Sequence, residues 1–434
     1  MAEEGGYRVY GYRWAVLAAY GFALFIGGFL WLTFVPIETE VQRALGVSAF
    51  DVRLLAIVGL FVGILVAPLA GSLSDNKGFK YSVLIGLLIT VVSGVVRAIV
   101  PHVTTSGHVQ YWVYFLMQMA GGAGGVFVIV NLSKMPIKWF PEDQRATSTG
   151  LAMLSALLGY AAALPLIVVI ANIPEHASKP VIQAGLSRVL TFTAILPVAA
   201  LIIFLVFARE EPPTPSGPFP EEIKYRLRES LPKLLRSPTF RGIAFVSFIG
   251  YGIYNALTLT IEKIITFHGP GFTKNFASLV ASSITLAGIV GLVVLSALSD
   301  RIGRRKPFLI AAAVATIPCL ALIGIASSKA LNLVGAIIMG FFLLVALPIS
   351  YTAVGELEEI GPLLAGTAVG VLTSLGDLGS VVIPPLMEVV KITKTAEVID
   401  YRWAMVMFMC LGVIALLGVI FWVKETGPKG RSEL

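Results

Sequence analysis

Charge is scarce in these 434 residues: Asp, Glu, Lys and Arg make up 13% of the chain, where soluble domains carry about a quarter. Hydrophobic residues make up 57%, and the mean hydropathy is +0.87. A soluble chain of this makeup could not cover its surface with polar groups, so lipid is the solvent for much of it. Cysteine is scarcer still. Cys319 and Cys410 both fall in apolar runs, which excludes a disulfide framework and argues against a metal cluster. The four histidines, His102, His108, His176 and His268, fall in segments expected to face outward. An external pH sensor would use such residues, but no metal-ligand spacing joins them, and placement in loops accounts for them more simply. No Walker loop, nucleophile elbow, zinc spacing or dinucleotide fingerprint is present. An enzyme is therefore not expected, nor a metal or cofactor. The net charge of +7 would point to nucleic acid in a soluble protein. In a membrane protein it marks the basic loops that set topology.

What the chain has is long apolar runs. A helix of roughly 20 apolar residues spans a bilayer. Such runs lie at about 14–36, 52–74, 81–100, 111–134, 146–170, 188–208, 242–266, 276–299, 307–326, 331–354, 363–388 and 402–423. None alternates with the period of a β-barrel strand. The first, Trp14 to Val35, is too long for a signal-peptide core and lacks a small-residue cleavage site, so it reads as a span. With the N-terminus inside, cytoplasmic segments hold roughly 21 basic residues and external loops about 9, as the positive-inside bias requires. Arg97 and Lys263 are left near the outer ends of their spans, where long side chains can snorkel. One cytoplasmic segment breaks the trend, with Glu356, Glu358 and Glu359 and no cation.

The longest connection, 209–241, divides six spans (1–208) from six (242–434). It opens with Glu211-Pro212-Pro213-Thr214-Pro215, a semi-rigid piece. From Pro220 to Arg236, Ile223, Leu227, Leu231 and Leu234 recur at helical spacing, with Glu222–Arg226 and Glu229–Lys233 as i,i+4 pairs. This predicts an amphipathic helix on the cytoplasmic face, kinked or ended by Pro232.

The halves repeat weakly. Gly71-Ser72-Leu73-Ser74-Asp75-Asn76-Lys77-Gly78-Phe79-Lys80 follows the second span, and Ser296-Ala297-Leu298-Ser299-Asp300-Arg301-Ile302-Gly303-Arg304-Arg305 follows the eighth. Ala146-Thr147-Ser148-Thr149-Gly150 at the fifth span is echoed by Gly366-Thr367-Ala368-Val369-Gly370 at the eleventh. Two parallel six-helix repeats imply a site between them near the midplane. Gly78 and Gly303 suit tight turns, and Asp75 can accept from helix N-terminal N–H groups or pair with a cation.

These paired loops resemble the signature loop of the major facilitator superfamily, and helix count, six-plus-six division and repeat position extend the resemblance over the whole chain. The resemblance implies an all-α membrane fold of twelve spans. It also implies a cytoplasmic latch built from Gly71, Asp75, Gly78 and Lys80 and, more loosely, from Asp300, Gly303 and Arg304. Phe79 and Ser296 depart from the commonest family residues, which would weaken the latch. The alternative is a basic loop that serves topology alone. Trp139-Phe140-Pro141, Arg145 and Gly150, with Gln118 and Val126-Phe127-Val128-Ile129, are similar to the heme and choline exporter branch, the feline leukemia virus subgroup C receptor relatives. Drug–proton antiporters of the superfamily carry an Arg in the fourth span and Gly-Pro in the fifth. Neither is found between Phe115 and Val130 or between Leu151 and Pro165.

Asp377 stands alone near the middle of the eleventh span. An intramembrane acid costs about 2.5–3.5 kcal/mol and normally faces a polar cavity. Asp377 is therefore expected to bind a cationic group or take up a coupling proton, a structural carboxylate being the alternative. The resemblance implies that the first, fourth, seventh and tenth spans line the cavity. Its polar candidates are Tyr20 and Trp31, Gln118 and Asn131, and Tyr251, Tyr254 and Asn255, each weighed against interhelical bonding or, for Trp31, the aromatic belt. Glu262 and Lys263 are adjacent and share no helix face. They read as an interfacial pair with other partners, or as an outer gate.

The expectation is a secondary or facilitative transporter in the plasma membrane. Both termini are cytoplasmic and the protein is monomeric, with no nucleic-acid partner. It moves a small organic solute, neutral or cationic, by alternating access, with coupling to a proton or ion left open. An organic-anion or drug transporter of the same fold, or a receptor without flux, is the alternative.

Overall fold

The computed structural model describes residues 8–174, 176–216, 227–269, 271–357, 362–390, 392–393 and 399–431. Twelve of its helices are long and apolar enough to cross a membrane. The first six spans are Arg13–Trp31, Ala49–Lys77, Phe79–Val103, Gly107–Ile129, Arg145–Ala171 and Lys179–Phe207. The next six are Pro238–Thr266, Lys274–Ile302, Lys306–Gly324, Lys329–Gly355 (broken between Leu343 and Ala346), Ala365–Val390 and Arg402–Trp422. A small antiparallel pair, Ile392–Thr393 with Ile399–Asp400, precedes the twelfth.

Each expected apolar run is a helix, but the ends move. The sixth span starts at Lys179 rather than near 188, because Ser178 is extended and Pro180 opens the first turn. Arg188, which sequence puts at the boundary, instead sits within this helix. It donates to Ala171 O at 2.6 Å and Asn172 O at 3.3 Å, which closes the end of the fifth span.

The surface inverts that of a soluble protein. Leu65, Val169, Leu259 and Phe421 are all more than 70% exposed along helix faces that water would not tolerate and lipid does. Between helices the packing relies on small residues. Gly28 abuts the backbone of Ala156, and Gly159 abuts that of Phe25, which joins the first span to the fifth. Gly252 and Gly379 join the seventh to the eleventh in the same way. The two halves thus use equivalent joints.

The connection between the halves is ordered by charge and aromatic contacts. Lys138 pairs with Glu210 at 2.9 Å and with Glu211 at 3.6 Å. Trp139 Nε1 donates to Arg209 O at 3.2 Å, while Phe140 packs edge-on against Trp14. The helix after it, Leu227–Arg236, contains Pro232 without ending there and lies against the second, seventh and eleventh spans. Pro220, Glu222, Ile223 and Arg226 lie outside the described residues, as do Glu358 and Glu359.

Gly78 turns the second span into the third at φ +97°, and a Cβ there would meet the Glu210 carboxylate at 2.6 Å. That carboxylate accepts from Phe79 N at 3.0 Å and Lys80 N at 2.7 Å, which caps the third span. Gly78→Ala is therefore expected to destabilise the protein by about 1 kcal/mol or more. Thermal melting in detergent checks this against Gly125→Ala, where the new Cβ meets nothing within 4 Å.

Candidate functional site

A cavity of about 430 Å³ lies between the two sets of six helices. On the side of the chain termini it is closed by two reciprocal locks. Asp75, at the end of the second span, accepts from Gly366 N at 2.8 Å, Thr367 N at 2.7 Å and Thr367 Oγ1 at 2.6 Å. Asp300, at the end of the eighth, accepts from Ala146 N at 3.1 Å, Thr147 N at 2.7 Å and Thr147 Oγ1 at 2.6 Å. Each carboxylate so satisfies the orphan N–H groups, and the positive dipole end, of a helix in the other half. Gly71 makes the approach possible, since a Cβ there would strike the Gly366 backbone.

The cations of these locks are not the ones expected from sequence. Lys134 reaches Ser74 O at 2.6 Å and Asp75 at 3.5 Å, whereas Lys80 takes part through its backbone. In the second lock the central group is Arg305 rather than Arg304. Arg305 pairs with Asp300 at 2.8 Å and Glu356 at 2.9 Å and donates to Glu142 O, in the other half, at 3.3 Å. Glu425 repeats the role of Glu210, accepting from Arg305 N and Lys306 N at 2.6 and 3.2 Å. The acidic segment that broke the charge trend thus contributes a buried partner for Arg305.

Above the locks, Ser374 Oγ donates to Ile64 O at 2.9 Å, and the described hydrogen bonds between the halves reach no further from the termini. Asp377, one turn on, lines the cavity opposite Gly63, where a side chain would occupy the space of its carboxylate. Among the described residues no hydrogen bond or ion pair engages that carboxylate. Tyr160 and Tyr251 stand near it, and Tyr254 and Asn255 line the same cavity. Tyr251 and Tyr351 share a hydrogen bond of 2.7 Å, and Asn255 donates to Ser380 Oγ at 2.8 Å. Trp31 and Gln118 line the cavity further from the termini.

Other candidates lie elsewhere. Tyr20 is fully buried and straps the first span to the fourth through Val128 O at 2.9 Å. Asn131 is fully buried between Ser74 Oγ at 2.5 Å and Ser82 Oγ at 3.2 Å. Both are absent from the cavity wall, because interhelical bonding already uses their polar atoms. Glu262 pairs with Lys274 of its own half at 3.1 Å, and Lys263 is exposed. Among the described residues neither has a partner in the first half, and an exposed pair of this kind contributes little. Arg97 does not snorkel. It is 2% exposed, faces the cavity wall and donates to Gln118 Oε1 at 2.7 Å.

A bundle of twelve spans in two halves, locked at one end around a cavity in which the Asp377 carboxylate has no partner among the described residues, defines a membrane protein of the transporter class. The chain belongs to the Major Facilitator Superfamily, whose model matches residues 20–384 and again 268–434. That membership places it among transporters rather than enzymes. It is 26% identical over 314 residues to Solute carrier family 49 member A3 of Xenopus tropicalis, covering 69% of this chain and 61% of that one. It is 24% identical over 299 residues to the Choline/ethanolamine transporter FLVCR1 of Felis catus, covering 64% and 50%. The resemblance to that receptor branch is thus supported, although the chain spans about half to three fifths of these relatives' length. The fold is also that of FucP from E. coli in its outward conformation, with a TM-score of 0.72 at 16% identity over 93% of this chain and 98% of that chain.

Proposed function

We propose that the protein carries a small organic solute, cationic or neutral, across the membrane by alternating access. The observation that supports this most is Asp377, a carboxylate without a described partner in a wall of aromatic and apolar groups between the halves. An acid in a membrane span is costly unless it serves a polar path, and aromatic faces attract quaternary ammonium groups. The name of the cat relative, a choline/ethanolamine transporter, agrees with a cationic solute.

In this reading residues 1–208 and 242–434 rock as two halves joined by 209–241. The locked side is cytoplasmic and carries both termini, in accord with the excess of basic residues there, and the membrane is the plasma membrane. Asp377 can serve either as the ligand of a cationic group or as the carrier of a coupling proton. Trp31, Gln118, Tyr251, Tyr254 and Asn255 bound the solute.

Purified protein in liposomes is expected to take up radiolabelled choline saturably, with competition by other amines and none by simple carboxylates. Binding without flux would replace the transporter by a receptor. Uptake of carboxylates but not amines would overturn the cationic reading.

A further inference from the structure

Among the described residues that line the cavity two carry charge, Arg97 and Asp377, and they are opposite in sign. They belong to different halves, and no ion pair joins them. Their helices start from the same locked layer, at Phe79 and Ala365. Arg97 is 18 residues up the third span and Asp377 is 12 residues up the eleventh, so their Cα atoms differ in depth by roughly 9 Å. The cavity therefore has a negative pole at mid-depth and a positive pole further from the termini, and the charges of its described lining cancel.

The positive pole is built for an anion. A buried guanidinium without a counter-charge is costly and is normally paired. Among the described residues Arg97 has no carboxylate partner and one hydrogen bond, to Gln118. Its Nε is buried with no protein acceptor, as is the hydroxyl of Tyr114 nearby. Gln118 is itself held, since its Nε2 donates to Trp31 O at 3.4 Å while its Oε1 accepts from Arg97. The fork is thus fixed in place, with donors left over, and a planar guanidinium matches carboxylate and phosphate oxygens.

We propose that the cavity takes a zwitterion, its ammonium end toward Asp377 and its carboxylate or phosphate end on Arg97 and Gln118. The proposal rests on the reading of Asp377 as a cation site and adds the second pole. A solute with both charges neutralises both buried groups at once. A simple cation leaves Arg97 unpaired, and a simple anion leaves Asp377 unpaired. The depth difference favours charges separated by several bonds over the short spacing of an α-amino acid.

The test is a molecular ruler. Trimethylammonio-carboxylates with one, three and five methylenes are compared with trimethylammonio-alcohols of matching length, by calorimetry and melting of the purified full chain. Wild type should bind the longer zwitterions about tenfold or more tightly than the matched alcohols, the size of a lost charge-assisted contact. Arg97→Gln should bring the ratio of zwitterion to alcohol affinity close to one, whereas Asp377→Asn should weaken both sets. Arg97→Lys keeps the charge and should keep part of the preference.

Equal binding of zwitterion and alcohol by wild type overturns the proposal without any variant. So does a preference that survives in Arg97→Gln. Alcohol binding that depends on Asp377 while zwitterions fail would sink the second pole alone, leaving the cation reading intact. If neither set binds, both readings fall.

Discussion

Asp377→Asn is expected to abolish transport while leaving the fold intact. The two properties separate because no described group hydrogen-bonds to this carboxylate. Its removal orphans no partner, and losing a charge within a span removes a cost of about 2.5–3.5 kcal/mol on insertion scales. The melting temperature of the empty protein should therefore hold or rise. Binding should behave in the opposite way. Truncating one member of a desolvated charge pair costs about 2–5 kcal/mol, so affinity for a cationic solute should fall by roughly 30-fold or more. Gly63→Val supplies an independent route to the same loss, since its side chain would enter the space of the carboxylate. Flux assays also divide the two roles open to Asp377. A cation ligand loses exchange and net uptake together. A proton carrier loses uptake driven by a proton gradient but keeps solute exchange. Normal transport by the asparagine variant at every pH would remove Asp377 from the mechanism.

The spans were legible because lipid imposes a length and a polarity that a single sequence displays. The lock carboxylates were legible because Asp75 and Asp300 recur at equivalent places. Their partners were less so. Gly366-Thr367 and Ala146-Thr147 echo each other in sequence, but nothing local says that a carboxylate from the other half will cap them. Arg304 and Arg305 are adjacent, and geometry separates them: Arg305 stands at the threshold of the ninth span, where its backbone meets Glu425 and its side chain turns inward. Polar atoms in mid-span admit two uses, a ligand or a neighbouring helix, so sequence alone does not separate Tyr20 and Asn131 from the cavity groups. For Arg97, distance to the helix end alone points to snorkelling. Its phase points the other way. Ser82, Gly86, Thr90, Ser93 and Arg97 recur every three or four residues along the buried face of the third span, a stripe of small and polar residues that points inward.

Arg305→Gln is the change expected to damage the locked state most. The guanidinium is 1% exposed and lies between two carboxylates that are at most 3% exposed. Removing it leaves Asp300 and Glu356 buried without it, which costs about 3–5 kcal/mol. Lysine is not a substitute, because a point charge cannot serve two carboxylates and Glu142 O in a fixed fork. Burial alone would lower the pKa of Arg305, but Glu356 and Asp300 outweigh it and hold the group well above its ordinary value. A pKa raised on folding adds stability that is present in full below the unfolded value and is lost only as pH rises through the folded one, so moderately alkaline conditions do not release it. Glu356 and Asp300 should respond differently when the arginine is gone. Asp300 keeps Ala146 N and Thr147 as donors, whereas Arg305 supplies both described hydrogen bonds to the Glu356 carboxylate. Arg305→Gln combined with Glu356→Gln should therefore cost less than the sum of the single changes, with a coupling of about 1–3 kcal/mol in a double-mutant cycle. Melting temperature gives the cycle, and spin-label distances between the termini-side ends of the fifth and eighth spans give the conformation. Arg305→Gln should lengthen that distance and lower the melting temperature. A variant that keeps both at the wild-type values would mean that the helix-capping bonds of Asp75 and Asp300 hold the halves together without the buried ion pairs.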